Sequence, residues 1–133
     1  MPPKMITTAA SRHRRGRASS AALAASGLAI AVDPRRTGVA LDLAASSTRG
    51  VAETRAGLGG TFAALGLWAL ARGSSEAYTA VGVTWLGAAV LRGVSLVVDK
   101  PDTDWTFWAY LAAELSFGVG ALTAGVREDH KVR

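Results

Sequence analysis

Apolar residues in this chain fall in blocks rather than in stripes. Within residues 77–98 (AYTAVGVTWLGAAVLRGVSLVV) Arg92 is the only ionisable group apart from Tyr78, and within 105–126 (WTFWAYLAAELSFGVGALTAGV) Glu114 is the only formal charge. A helix rises 1.5 Å per residue and needs ~20 apolar residues to cross a ~30 Å hydrocarbon core, so each block predicts a transmembrane helix. A third block, 51–71 (VAETRAGLGGTFAALGLWALA), has the same reach, with Glu53 and Arg55 in its first turns. Residues 19–32 (SSAALAASGLAIAV) form a shorter, Ala-rich block. Asp33-Pro34 ends it, because proline lacks an amide hydrogen and pushes the residue before it out of the helical region. The pattern predicts an all-α fold, an integral membrane four-helix bundle running up-down-up-down, with spans at about 19–32, 51–71, 77–98 and 105–126.

The segments between these blocks are polar. Residues 1–20 (MPPKMITTAASRHRRGRASS) show no apolar periodicity and carry a basic cluster, which predicts a disordered basic tail over 1–18. Residues 37–50 are mildly amphipathic through Val39, Leu41 and Leu43 and are expected to lie at the membrane interface. Residues 72–76 and 99–104 are tight polar connectors, and 127–133 is a second polar tail. A basic stretch followed by a short apolar block ending Ala29-Ile30-Ala31 also fits a cleaved signal peptide, so the fate of the first 32 residues has two readings.

Composition sharpens this picture. Half of the 133 residues are apolar and the net charge is +5, with charges gathered at the ends and connectors. A soluble helical domain would spread them along polar faces instead. A basic tail beside an apolar span orients the chain or meets anionic lipid, and no nucleic-acid partner is expected. Nine basic residues (Lys4, Arg12, Arg14, Arg15, Arg17, Arg72, Arg127, Lys131 and Arg133) fall on the side of the two termini, against five (Arg35, Arg36, Arg49, Arg55 and Lys100) on the other. The excess of basic residues on cytoplasmic loops then predicts a multi-pass protein of the cytoplasmic (inner) membrane with both termini cytoplasmic. Trp105, Trp108 and Tyr110 follow the outer turn, where aromatic rings anchor at headgroup level.

Arg92 and Glu114 are the residues that demand an explanation, since an unpaired charge at the bilayer centre costs ~2.5–3.5 kcal/mol even on a lenient scale. Counted from the middle of the 99–104 turn they sit at similar depth in an antiparallel hairpin, offset by ~4.5 Å at 1.5 Å per residue. They are expected to pair. The same count around the 72–76 connector brings Glu53 and Arg55 to that depth, so a polar network of Glu53, Arg55, Arg92 and Glu114 is expected. Small residues recur every four positions at Ala56, Gly60 and Ala64, and at Ala112, Ser116, Gly120 and Ala124. Such spacing lets transmembrane backbones touch, which marks Gly59, Gly60 and Gly120 as candidate packing positions.

The run Glu53-Thr54-Arg55-Ala56-Gly57-Leu58-Gly59-Gly60, after Asp33-Pro34 and before the lone Arg92 and Glu114, resembles a small bacterial membrane-protein family. That family is catalogued as a domain of unknown function (number forty-three forty-five), and the resemblance covers about residues 27–126. It implies a four-helix integral membrane protein in which Glu53, Arg55, Gly59, Gly60, Arg92 and Glu114 occupy recurring polar and glycine positions. It implies no activity. The short Ala-rich first span departs from a longer, leucine-rich one in the family pattern.

Other chemistry has little support. The chain has no cysteine, which excludes disulfides, thiolate catalysis and cysteine-held metal. His13 and His130 lie in basic tails without ligand spacing, so no metal or other cofactor is expected. Gly57, Gly59 and Gly60 follow no strand and make no dinucleotide loop, and no span holds a histidine to activate its serines. Arg14-Arg15 lacks the hydrophobic residues of a twin-arginine signal. The expected function is therefore non-enzymatic, a structural or accessory subunit in contact with the lipid bilayer and other membrane-protein subunits. The alternative is a small transporter or proton- or lipid-handling protein that uses Glu114, with lipid or quinone as ligand.

Overall fold

The computed structural model describes residues 3–126, and every regular element in it is helical. The helices are α1 (Pro3–Val32), α2 (Pro34–Ala40), α3 (Thr48–Glu53), α4 (Thr61–Arg72), α5 (Ser75–Val98) and α6 (Trp105–Gly125), with a π-helical segment, Thr54–Gly60, joining α3 to α4. Two of them, α5 and α6, are long and apolar enough to cross a membrane. The chain divides into two compact units, one of residues 1–19 and 73–133, the other of residues 20–72, and α1 contributes to both.

The basic segment expected as a disordered tail is helical from Pro3, and α1 is 30 residues long. Ala and Arg are among the best helix formers, and a run rich in both needs no apolar stripe to wind. Its buried positions, Gly16, Ser19, Ser20, Leu23, Ala24, Gly27 and Ile30, recur at three- and four-residue steps, so one side of the helix is packed, mostly by small side chains. The second expected tail, 127–133, lies outside the described residues.

In the second unit α1 ends at Val32, and Asp33 becomes the N-cap of α2, accepting from the Arg36 amide at 3.0 Å with Pro34 in the first turn. The stretch expected to lie flat at an interface is broken: α2 stops at Ala40, Asp42 takes a left-handed φ of 55°, and Ser47 caps α3 through the Gly50 amide. Helix α1 then meets the π segment and α4 in antiparallel register. Ala24 faces Gly66, Gly27 faces Ala63 and Ala31 faces Gly59, close enough that a Cβ on Gly59 would stand 2.7 Å from the Ala31 amide nitrogen. Gly59, Ala63 and Gly66 are buried, whereas Ala56, Gly60 and Ala64 are exposed. The packed face thus differs from the expected four-residue series. Each π turn closes i→i+5 bonds and takes in roughly one residue more than an α turn, which rotates everything after it.

In the first unit α5 and α6 form an antiparallel hairpin. Thr79 meets Gly125, Gly82 meets Leu122 and Leu86 meets Gly118, each glycine giving the notch that the opposite side chain fills. Asp104 caps α6 by accepting from the Phe107 amide at 3.0 Å. The early part of α1 lies on this hairpin through two bonds at Ser19, whose Oγ donates to the Phe117 carbonyl (2.9 Å) and whose own carbonyl accepts from Trp85 Nε1 (3.2 Å). Gly120 faces Ser19 at ordinary contact distance, while Ala112 and Ser116 point outward. The buried apolar residues here are few and mostly small, Ala77, Val81, Ala89 and Ala121 beside Tyr78. Large ones stay outside: Leu91 is 67 % exposed and Val97 75 %.

Candidate functional site

Helices α5 and α6 place one cation and one anion opposite each other. Arg92 lies six residues before the end of α5 and Glu114 nine after the start of α6, or ~9 and ~13.5 Å from the turn at 1.5 Å per residue. The length of the arginine spans that offset. Its Nε donates to Glu114 Oε2 at 2.9 Å and its Nη2 to Oε1 at 2.7 Å, the two-pronged geometry that a planar guanidinium makes with a carboxylate. The Glu114 side chain is 8 % exposed and that of Arg92 29 %. Two rings complete the surroundings, Phe107 at 5.4 Å and Tyr110 at 5.7 Å from the guanidinium carbon, both on α6 and one or two turns from Glu114. Aromatic faces so placed stabilise a cation whose hydration has been stripped.

Glu53 and Arg55 lie within the second unit. Glu53 pairs with Arg49 one turn before it at 3.8 Å, both side chains exposed, and Arg55 is exposed on the π segment. Both belong to the second unit, so the network within one unit is the pair Arg92–Glu114 with its two rings. Pairs as exposed as Arg49–Glu53 contribute little to stability. The entry turns keep their charges toward solvent because i and i+4 positions on one helix can neutralise each other without a partner helix.

Sequence reasoning missed the contacts that hold α1 to the hairpin. Tyr78 is 2 % exposed, and its hydroxyl lies 3.2 Å from His13 Nδ1 with the rings edge-on at 5.6 Å. Gly16 makes room for it, since a Cβ there would stand 2.5 Å from the ring. The signal was present as Gly16 and Ser19 at helical spacing, but small residues leave no mark on a hydropathy profile. Among the described residues no three His, Asp or Glu side chains are grouped to hold a metal ion.

No family model, curated protein or solved structure compared with the chain matches it. The resemblance drawn from residues 53–60 therefore rests on those residues, on Asp33-Pro34 and on Arg92 and Glu114.

Proposed function

We propose that the chain is a non-enzymatic, multi-pass protein of the cytoplasmic membrane with both termini cytoplasmic, serving as a structural or accessory subunit of a larger membrane assembly. In this reading α5 and α6 make two crossings, the apolar half of α1 and the run from α3 to α4 make two more, and the family suggested by residues 53–60 is the family it belongs to. One observation carries the reading. The charges inside the apolar runs of two helices neutralise each other in a two-pronged pair, while Val90, Leu91, Val97 and Val119 around them remain exposed, as side chains facing lipid would be. An ionic group is tolerated in hydrocarbon when it is paired and hydrogen-bonded, and it then fixes which helices associate and in what register.

The carrier alternative has a harder requirement. Both Glu114 oxygens accept from Arg92, so a proton or ligand reaches the carboxylate only if the guanidinium moves away. Topology is the direct test, and the lack of cysteine makes it clean. In intact cells stripped of their outer envelope, Asp102→Cys should react with a membrane-impermeant maleimide, and Ala10→Cys should react only after permeabilisation. Labelling of both from the same side, or release of the protein by an alkaline carbonate wash, would refute the proposal.

A further inference from the structure

The ion pair of the first unit uses only part of its arginine. A guanidinium carries five N–H donors in a fixed planar arrangement, and Arg92 gives one to each oxygen of Glu114, through Nε and Nη2. Serving one carboxylate, those two nitrogens form the side edge of the plane. The end edge, made by Nη1 and the outer hydrogen of Nη2, meets no acceptor among the described residues. The Arg92 side chain is partly exposed and that of Glu114 buried, so the accessible part of the pair is the cation. Phe107 and Tyr110 flank it with their rings, and Val90, Leu91 and Val94 near it on α5 are exposed.

In the membrane reading, on which this inference rests, the unused edge lies in hydrocarbon. Helix α5 has 24 residues, or ~36 Å, against a core of ~30 Å, so when centred it overhangs by about 3 Å at each end. The Arg92 backbone, ~9 Å from the end of the helix, is then about 6 Å below the boundary. Side chains on a helix lean toward its N-terminus, and for α5 that direction leads away from the Asp99 turn toward the depth of Glu114. The nearest lipid phosphates are thus behind the guanidinium rather than in front of it. A donor left without an acceptor in hydrocarbon is costly, and an oxygen at that depth comes from another helix. The pair is already neutral, so a second carboxylate would leave one net negative charge in the core, whereas a neutral oxygen adds none.

We propose that the unused edge of Arg92 is the docking point for a transmembrane helix of a partner subunit, one that presents a side-chain amide or hydroxyl oxygen at this depth and is otherwise apolar where it meets Val90, Leu91 and Val94. Side chains of Asn, Gln, Ser and Thr that hydrogen-bond across helices are a recurrent means of association in lipid. The ion pair then has two tasks. Glu114 fixes the register of α5 and α6 from inside, and Arg92 selects the neighbour from outside.

The experiment places the full chain in phosphatidylcholine vesicles with a synthetic polyleucine helix and reads their association by energy transfer from the tryptophans of the chain to a dansyl group on the peptide. Three peptides carry one glutamine level with the Arg92 guanidinium, one glutamine in the opposite leaflet, or none. The first should bind the unaltered chain about fivefold more tightly than the other two. R92L/E114L removes both charges at similar bulk, so it keeps the hairpin, and should abolish the preference. R92K retains a cation for Glu114 without a second planar edge and should lose most of it. A peptide with glutamate in place of the level glutamine should bind no more tightly than the glutamine one. No preference in the unaltered chain, a full preference in either variant, or tighter binding of the glutamate peptide would overturn the proposal. So would a preference that vanishes in phosphatidylglycerol vesicles, which would assign the edge to lipid phosphate. A chain that an alkaline carbonate wash strips from the vesicles refutes the membrane reading, whereas one that stays inserted and shows no preference refutes this inference alone.

Discussion

Removing Arg92 is the sharpest perturbation the structure offers. Glu114 is 8 % exposed and accepts both of its bonds from this one side chain, so R92A strands a carboxylate between two apolar helices. Stranding one partner of a buried pair costs ~3–5 kcal/mol. Arg92 itself is 29 % exposed, which lets solvent or headgroups reach the vacated space, and the expected loss is at the low end, about 3 kcal/mol. E114A should cost less, about 1–2 kcal/mol, because the freed guanidinium keeps its exposure and its contacts with Phe107 and Tyr110. The double variant removes both charges, and the coupling energy of the cycle should be about 2 kcal/mol, a factor of ~30. Unfolding in mixed detergent micelles, followed by fluorescence of the four tryptophans, gives each value. A coupling within ~0.5 kcal/mol of zero would mean that the pair is incidental to stability, and the argument for its structural role would fail.

Glycines separate by what surrounds them. Gly66→Val drives a side chain into the Ala24 backbone and should destabilise by about 1–3 kcal/mol or more, whereas Gly87→Ala, which meets only open space within 4 Å, should stabilise by about 0.5–1 kcal/mol; equal effects in thermal melts would contradict the packing described. Gly73 has a φ of +59°, so Gly73→Ala should cost about 1–2 kcal/mol through backbone strain, and a neutral result would show that the turn relaxes. Asp104 is held below the usual aspartate range by the Thr106 hydroxyl and then by the Phe107 amide, so its contribution is present above that range and lost as pH falls through the lowered value. The start of α6 should accordingly weaken in strong acid, and Asp104→Asn should flatten that part of the pH profile; an identical acid profile in the variant would remove the cap from the account.

Much of the local structure was legible because it depends on residues a few positions apart. Asp33-Pro34 stops α1 at Val32, and Asp99 to Asp104 separates the two longest apolar helices, through backbone chemistry that no distant contact can override. The shared depth of Arg92 and Glu114 also follows from counting, since rise per residue and a tight turn fix which positions of a hairpin stand opposite each other. Register about the helix axis is a different matter. It decided that Gly59 rather than Gly60 touches α1, that Glu114, Gly118 and Ala121 rather than Ala112 and Ser116 are buried, and that Glu53 turns to Arg49.

The basic segment shows the same division. Its charge was plain, but its helix and its contacts through Gly16 and Ser19 emerged only from the packed chain. The reason is physical. This chain packs its helices through glycine, alanine and serine, whose value lies in how near they let two backbones come, and that distance is a property of pairs of helices rather than of any one stretch of sequence.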